Sequence, residues 1–289
     1  MINITDIQSR LLRNPEPEEV REMRNTIISA FKDLEFIEEP HQYFLHRPDG
    51  SVLELPSVSG VIHQFEPPQD WDAIRINKAN REGIDPEVLK RQWREKNLIS
   101  TSNGTKTHFF LENIMRLWIY GESGLDENIL KTQYEDGYLI PYGPKEKAGS
   151  DFYQMTLAKD DIYPVMPEAR FYMGYNDTYK LKQDYCGTFD VLMAQRVGDS
   201  FIPILMDLKT NASLVNEFSR KKGKMLLPPF QDMYDEPLSM YTLQLSCYQM
   251  GIQQLGLQVG YRIIIWVKED GTYELIDLPD VTDRLRLIL

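Results

Sequence analysis

The sequence predicts a mixed α/β protein, with a helical N-terminal part leading into a core of three antiparallel strands, a helix and a last hairpin. Three observations predict it. Apolar residues in the first 160 or so positions recur mainly at helical spacing, interrupted by one hairpin. From Pro167 the pattern changes to strands punctuated by turn residues. Helical spacing then returns over 238–256, before two short apolar runs joined by Glu269-Asp270-Gly271. Helices and strands in that order bury their apolar faces against one another around a shared core.

Each element follows from its residues. Positions 1–40 are helical and acidic: Glu16, Glu18, Glu19 and Glu22 surround Val20, and Ile27, Ile28 and Phe31 form a stripe. Positions 42–56 read as a hairpin turning at Arg47-Pro48-Asp49-Gly50. Ser57 can accept a free amide of a first turn, so it caps a helix over 58–65 that Glu66-Pro67-Pro68 ends. Positions 70–100 are polar and helical, anchored by Trp71 and Trp93. A long helix runs from about Gly104 to Tyr120, with Phe109, Ile114, Leu117 and Trp118 as its apolar positions. Positions 121–163 are mixed, with a Gly/Pro/Lys-rich loop over 141–149. Strands follow at 168–175, 182–195 and 201–209, with turns at Asn176-Asp177 and Gly198-Asp199-Ser200. A helix at 238–256 and a hairpin of 261–267 with 272–276 complete the chain. There is no internal repeat. The organisation is an N-terminal helical and hairpin region, 1–103, continuous with a core, 104–289.

Composition narrows the function. The chain has 289 residues, 42% hydrophobic and 26% charged, which excludes extended disorder, collagen and coiled coil. The longest apolar run, Tyr261–Val267, is broken by Arg262 and far shorter than the roughly 20 residues of a membrane span. The first residues lack a basic segment followed by an apolar one, so no signal peptide is expected. Cys186 and Cys247 are too few for a disulfide framework or a four-cysteine cluster, and suit a reducing interior. Net charge is −12, which excludes a generic polyanion binder. Nucleic acid would need a local basic patch and bound cations. Arg220-Lys221-Lys222-Gly223-Lys224 reads as a loop that can grip phosphate.

Chemistry concentrates in three motifs. Gly187-Thr188-Phe189-Asp190 enters one strand, Asp207-Leu208-Lys209 ends the next, and Gln244-Leu245-Ser246-Cys247-Tyr248 lies on the following helix. Residues two apart on a strand share a face, so Asp207 and Lys209 project together, with Asp190 on the partner strand. Two carboxylates with the Leu208 carbonyl form a hard oxygen site suited to magnesium or manganese. Lys209 beside it can orient a water, or deprotonate one if its pKa is depressed. Gln244 and Tyr248, four apart, share one helix face. A metal with an activated water is the equipment of phosphodiester hydrolysis.

GTFD, DLK and QLSCY in this order resemble the PD-(D/E)XK nuclease superfamily, and within it the RecB-type exonuclease group. Gly104-Thr105-Lys106-Thr107-His108, followed by Glu112, resembles that group's N-terminal histidine element, and 55–62 (LPSVSGVI) resembles phage-encoded members. The resemblance spans roughly 42–267. It implies a restriction-endonuclease-like mixed sheet flanked by helices, in a magnesium- or manganese-dependent DNA exonuclease of recombination, replication or repair. Asp190, Asp207, the Leu208 carbonyl and His108 would bind metal, Lys209 would position water, and Gln244 and Tyr248 would support the site. Glu168 matches a frequent acidic position that serves a second metal or pairs with Arg170. DNA-binding would fall to Arg220, Lys221, Lys222 and Lys224. Linear DNA ends are the implied partner, with a homo-oligomer and a separate annealing, single-strand-binding or helicase chain following by analogy. A cytoplasmic setting, no membrane, no nucleotide and, with two cysteines, no iron–sulfur cluster are expected. An endonuclease, or a non-catalytic DNA-binding factor on the same fold, would use the same framework.

Overall fold

Alternation along the central strands sends apolar side chains to both sides, so the sheet they form must be covered on both faces. In the computed structural model, which describes residues 1–174 and 183–289, helices do cover both. The elements are β1 (Ile2–Asn3), α1 (Ile4–Arg13), α2 (Glu18–Ala30), β2 (Leu34–Ile37), β3 (Gln42–His46), β4 (Val52–Leu55) and α3 (Val58–Ile62). Next come α4 (Trp71–Glu82), α5 (Pro86–Tyr120), α6 (Glu127–Thr132), β5 (Tyr134–Glu135), β6 (Tyr138–Leu139) and α7 (Pro144–Leu157). The chain ends with β7 (Ile162–Met173), β8 (Tyr185–Val197), β9 (Ser200–Lys209), α8 (Glu217–Lys222), α9 (Pro237–Gln253), β10 (Tyr261–Val267), β11 (Tyr273–Asp277) and α10 (Thr282–Leu285).

The main sheet has the order β11-β10-β9-β8-β7. Its strands are antiparallel except β9 and β10, which run parallel because α9 crosses between them. Leu192 and Ala194 of β8, Leu205 of β9 and Ile264 of β10 face α2, α3, α9 and α10. Val191, Met193, Ile204, Met206, Leu208 and Ile265 face α1, α5 and α7. A small sheet, β2-β3-β4, packs Leu34, Tyr43 and Leu55 on Cys186, and Cys186 N donates to Pro56 O. Another joins β1, β6 and β5. No helix of the described residues is long and apolar enough to cross a membrane.

Several expectations require correction. Positions 34–37 are a strand, because Leu34 and Phe36 alternate to meet β3. Trp71 is 63% exposed and anchors nothing. The long helix begins at Pro86, not Gly104: Asp85 accepts the Glu87 and Val88 amides and Pro86 occupies the first turn. The 103/104 boundary therefore falls inside one helix. The segment 141–149 is a loop only to Gly143; Pro144 starts α7 and Gly149 lies against the Leu111 side chain, where a larger residue would separate α7 from α5. The first central strand starts at Ile162 and the second at Tyr185. The Asn176-Asp177 turn lies outside the described residues. Ser57 does cap α3, accepting from Gly60 N at 3.2 Å.

Candidate active site at a fork in the sheet

The β8–β9 ladder runs from Val197↔Ser200 as far as Val191↔Met206 and then stops. Beyond it β8 stays with β7, Phe189 opposite Ala169. β9 stays with β10, Asp207 opposite Ile264 and Lys209 opposite Trp266. The sheet therefore forks where Asp190 and Asp207 stand. Asp190 Oδ2 accepts the Leu208 amide at 2.7 Å, a side chain standing in for the lost ladder carbonyl.

Helix α5 brings His108 to one side of the fork, Nδ1 at 3.3 Å from Asp190 Oδ2. β7 brings Glu168, whose φ of +46° is left-handed inside a strand. For a non-glycine residue that conformation costs on the order of 1–2 kcal/mol. Ligand atoms of His108, Glu168 and Asp190 lie within 4.8 Å of one another, an arrangement able to hold a metal ion. Glu168 is not paired with Arg170, whose guanidinium instead lies over Phe36, 5.5 Å from the ring centre.

On the other side Asp207, 2% exposed, is ion-paired with Lys209. Both share the parity of Leu205 and so face α9. Lys209 Nζ donates to Gln244 Oε1 at 3.4 Å, and Gln244 Nε2 donates to the Tyr248 hydroxyl at 2.5 Å. Lys209 also sits 4.3 Å from the Tyr241 ring centre. Tyr241 belongs to no motif in the sequence, although its spacing of three from Gln244 places it on the same face. The glycine of GTFD has a packing reason: a Cβ at Gly187 would stand 3.1 Å from the Tyr248 ring and 3.2 Å from Phe171 and Val58.

Burial and mutual charge drive the carboxylates apart. Burial, then Asp190 and Glu112, holds Glu168 well above the usual carboxylate range. Burial and Asp190 push Asp207 up to about 6 against the pull of Lys209. Asp190 moves the other way: burial opposes its charge, but His108, Lys209 and the Leu208 amide together outweigh it. Burial likewise opposes the charge on His108, yet Asp190 raises it. Burial also opposes the charge of Lys209, and Asp207 and Asp190 overcome it, so Lys209 is raised. A charged ammonium donates hydrogen bonds and can orient a water.

The fork opens into a cleft of about 1100 Å³ between the small sheet and α5. Of the expected residues, His108, Glu168, Asp190, Asp207, Lys209, Gln244 and Tyr248 all line it. Leu208 lines a smaller cavity behind His108, with Tyr153 and Phe152. The Arg220–Lys224 run lies elsewhere. It forms α8 and a left-handed Gly223 cap, not a loop. Arg220 donates through Nε and one NH2 to both oxygens of buried Glu236, each at 2.8 Å, and Lys224 lies over the Phe218 ring at 5.3 Å. Lys221 and Lys222 are exposed, and no residue of this run is among the described residues lining the cleft.

No model of a known protein family matches the chain, and no curated protein matches it either.

Proposed function

We propose that the chain is a metal-dependent deoxyribonuclease of the PD-(D/E)XK type, a hydrolase acting on phosphodiester bonds from DNA ends. The reading rests on one observation, the fork that joins His108, Glu168 and Asp190 from one side to Asp207, Lys209, Gln244 and Tyr248 from the other.

The donor set fits a divalent cation. One imidazole and two carboxylates converge, and one of those carboxylates is held away from its charged form by burial and by its acidic neighbours, a cost that a cation relieves. His108, Glu168 and Asp190 would hold magnesium or manganese, with Asp207 and the Leu208 carbonyl across the fork. When bound there, the ion supplies Lewis-acid charge to a phosphoryl oxygen and lowers the pKa of a coordinated water. Lys209, fixed by Asp207 and Gln244, orients the attacking water by donating hydrogen bonds. Tyr248 holds Gln244, and Gly187 leaves room for Tyr248.

The test is a time course on end-labelled linear DNA and on closed circular DNA, with magnesium, manganese or EDTA. Metal-dependent loss of the linear substrate alone is expected. Lys209→Ala should lower the rate about 10²-fold or more while circular dichroism is unchanged. Cutting of the circle makes the enzyme an endonuclease. Wild-type rates in both Asp207→Ala and Lys209→Ala would sink the assignment.

A further inference from the structure

Besides the α8 run, the acidic chain contains a basic arm that leads to the fork. From Trp71 to Lys106 there are eight lysines and arginines against five carboxylates, a surplus of three in a chain whose net charge is −12. The arm comprises α4 and the first half of α5. Arg75 is neutralised by Asp72 and Glu87, and Lys78 stands 3.9 Å from Glu82. Between Val88 and Lys106 the only carboxylate is Glu95, against Lys90, Arg91, Arg94, Lys96 and Lys106.

Core packing does not account for this half of the helix. Every residue from Arg94 to Asn103 is exposed, whereas Phe110, Leu111, Ile114 and Leu117 farther along are buried. Helix α4 supports the arm only as far as Trp93, which Lys78 approaches at 5.5 Å. At 100° per residue, positions 90, 94, 97, 101, 104 and 108 fall on one stripe. Its inner members, Asn97, Thr101, Gly104 and His108, line the cleft. Gly104 lets the helix approach β9, since a Cβ there would stand 3.2 Å from Thr210 Oγ1. The outer members are Lys90 and Arg94, about 27 and 21 Å along the axis from His108. A hydroxyl and amide wall leading from two exposed cations to the fork is the chemistry that follows a phosphate backbone.

We propose that Lys90 and Arg94 on the outer turns of α5 are the contacts that hold the phosphate backbone of the nucleic-acid substrate and lead it along the helix to the fork. This rests on the nuclease reading of the site. It also gives an acidic chain a local basic track for DNA, separate from the α8 cations, which do not line the cleft.

The test reads binding separately from hydrolysis. Fluorescence anisotropy follows a labelled 30-nucleotide DNA in EDTA, over a salt series, for wild type, Lys90→Glu/Arg94→Glu and a control of equal charge change, Lys32→Glu/Lys131→Glu. All four positions are exposed, so folding should survive, and circular dichroism checks it. The expected result is about tenfold or greater loss of affinity in the α5 variant, with the slope of log K against log salt smaller in magnitude by about two. The control should keep wild-type affinity and slope. Unchanged binding in the α5 variant, an equal loss in the control, or no binding by wild type would each overturn the proposal. Selective loss in the α5 variant, from a protein that cleaves no DNA with magnesium or manganese, would leave the track standing and remove the nuclease reading instead.

Discussion

Glu168 concentrates what is costly about the fork. Its backbone is left-handed, its carboxylate is half-buried and desolvated, and Asp190 and Glu112 repel its charge. Such costs persist where a site demands them. The consequence for stability has a definite sign. A carboxylate raised on folding contributes stability at low pH that is lost as the pH rises through its folded value. In EDTA, Glu168→Gln should therefore be more stable than wild type at pH 8, with the difference closing towards pH 4; urea denaturation at the two pH values checks it. A variant less stable than wild type at pH 8 would show that Glu168 is not repelled in the folded protein. The motif residues themselves were legible in the sequence, because GTFD, DLK and QLSCY carry their spacing with them. The strain at Glu168 was not, because nothing in Pro-Glu-Ala-Arg announces a positive φ.

At the scale of elements, α8 uses its charge differently from what its composition suggests. Four cations in five residues read as a grip, but Arg220 is committed to buried Glu236. Arg220→Ala should destabilise the fold by leaving that carboxylate with the Asn216 amide but without its cation. Arg220 holds the Glu236 carboxyl below the ordinary glutamate range, through their hydrogen bonds first. The stability this brings is present above that range and lost as the pH falls, so the penalty of Arg220→Ala should shrink on acidification; chemical denaturation at pH 7 and pH 4 measures it. In the sequence the α5 arm looks like a polar helix ahead of a separate long one, because no breaker or cap marks where packing stops and the helix continues. Its two halves should differ in dynamics. Hydrogen exchange is expected to be fast over residues 94–103 and slow over 110–118, where the side chains are mostly buried. Uniform protection along α5 would mean that another surface covers the arm.

Across the whole molecule, local patterning settled the mixed α/β class, the order of the central strands, the hairpin over β3 and β4, and the cap at Ser57. These depend on near neighbours, whose periodicity and turn chemistry are written in the chain itself. Tertiary structure alone decided where β8 and β9 part, that α5 and α9 reach the fork from opposite faces of the sheet, and which cations are committed to carboxylates. Those outcomes turn on partners far apart in the sequence: Glu236 for Arg220, Asp190 for the Leu208 amide, Leu111 for Gly149. A residue's charge is local information. Whether that charge is neutralised, buried or left at the mouth of a cleft is set by what the fold packs against it.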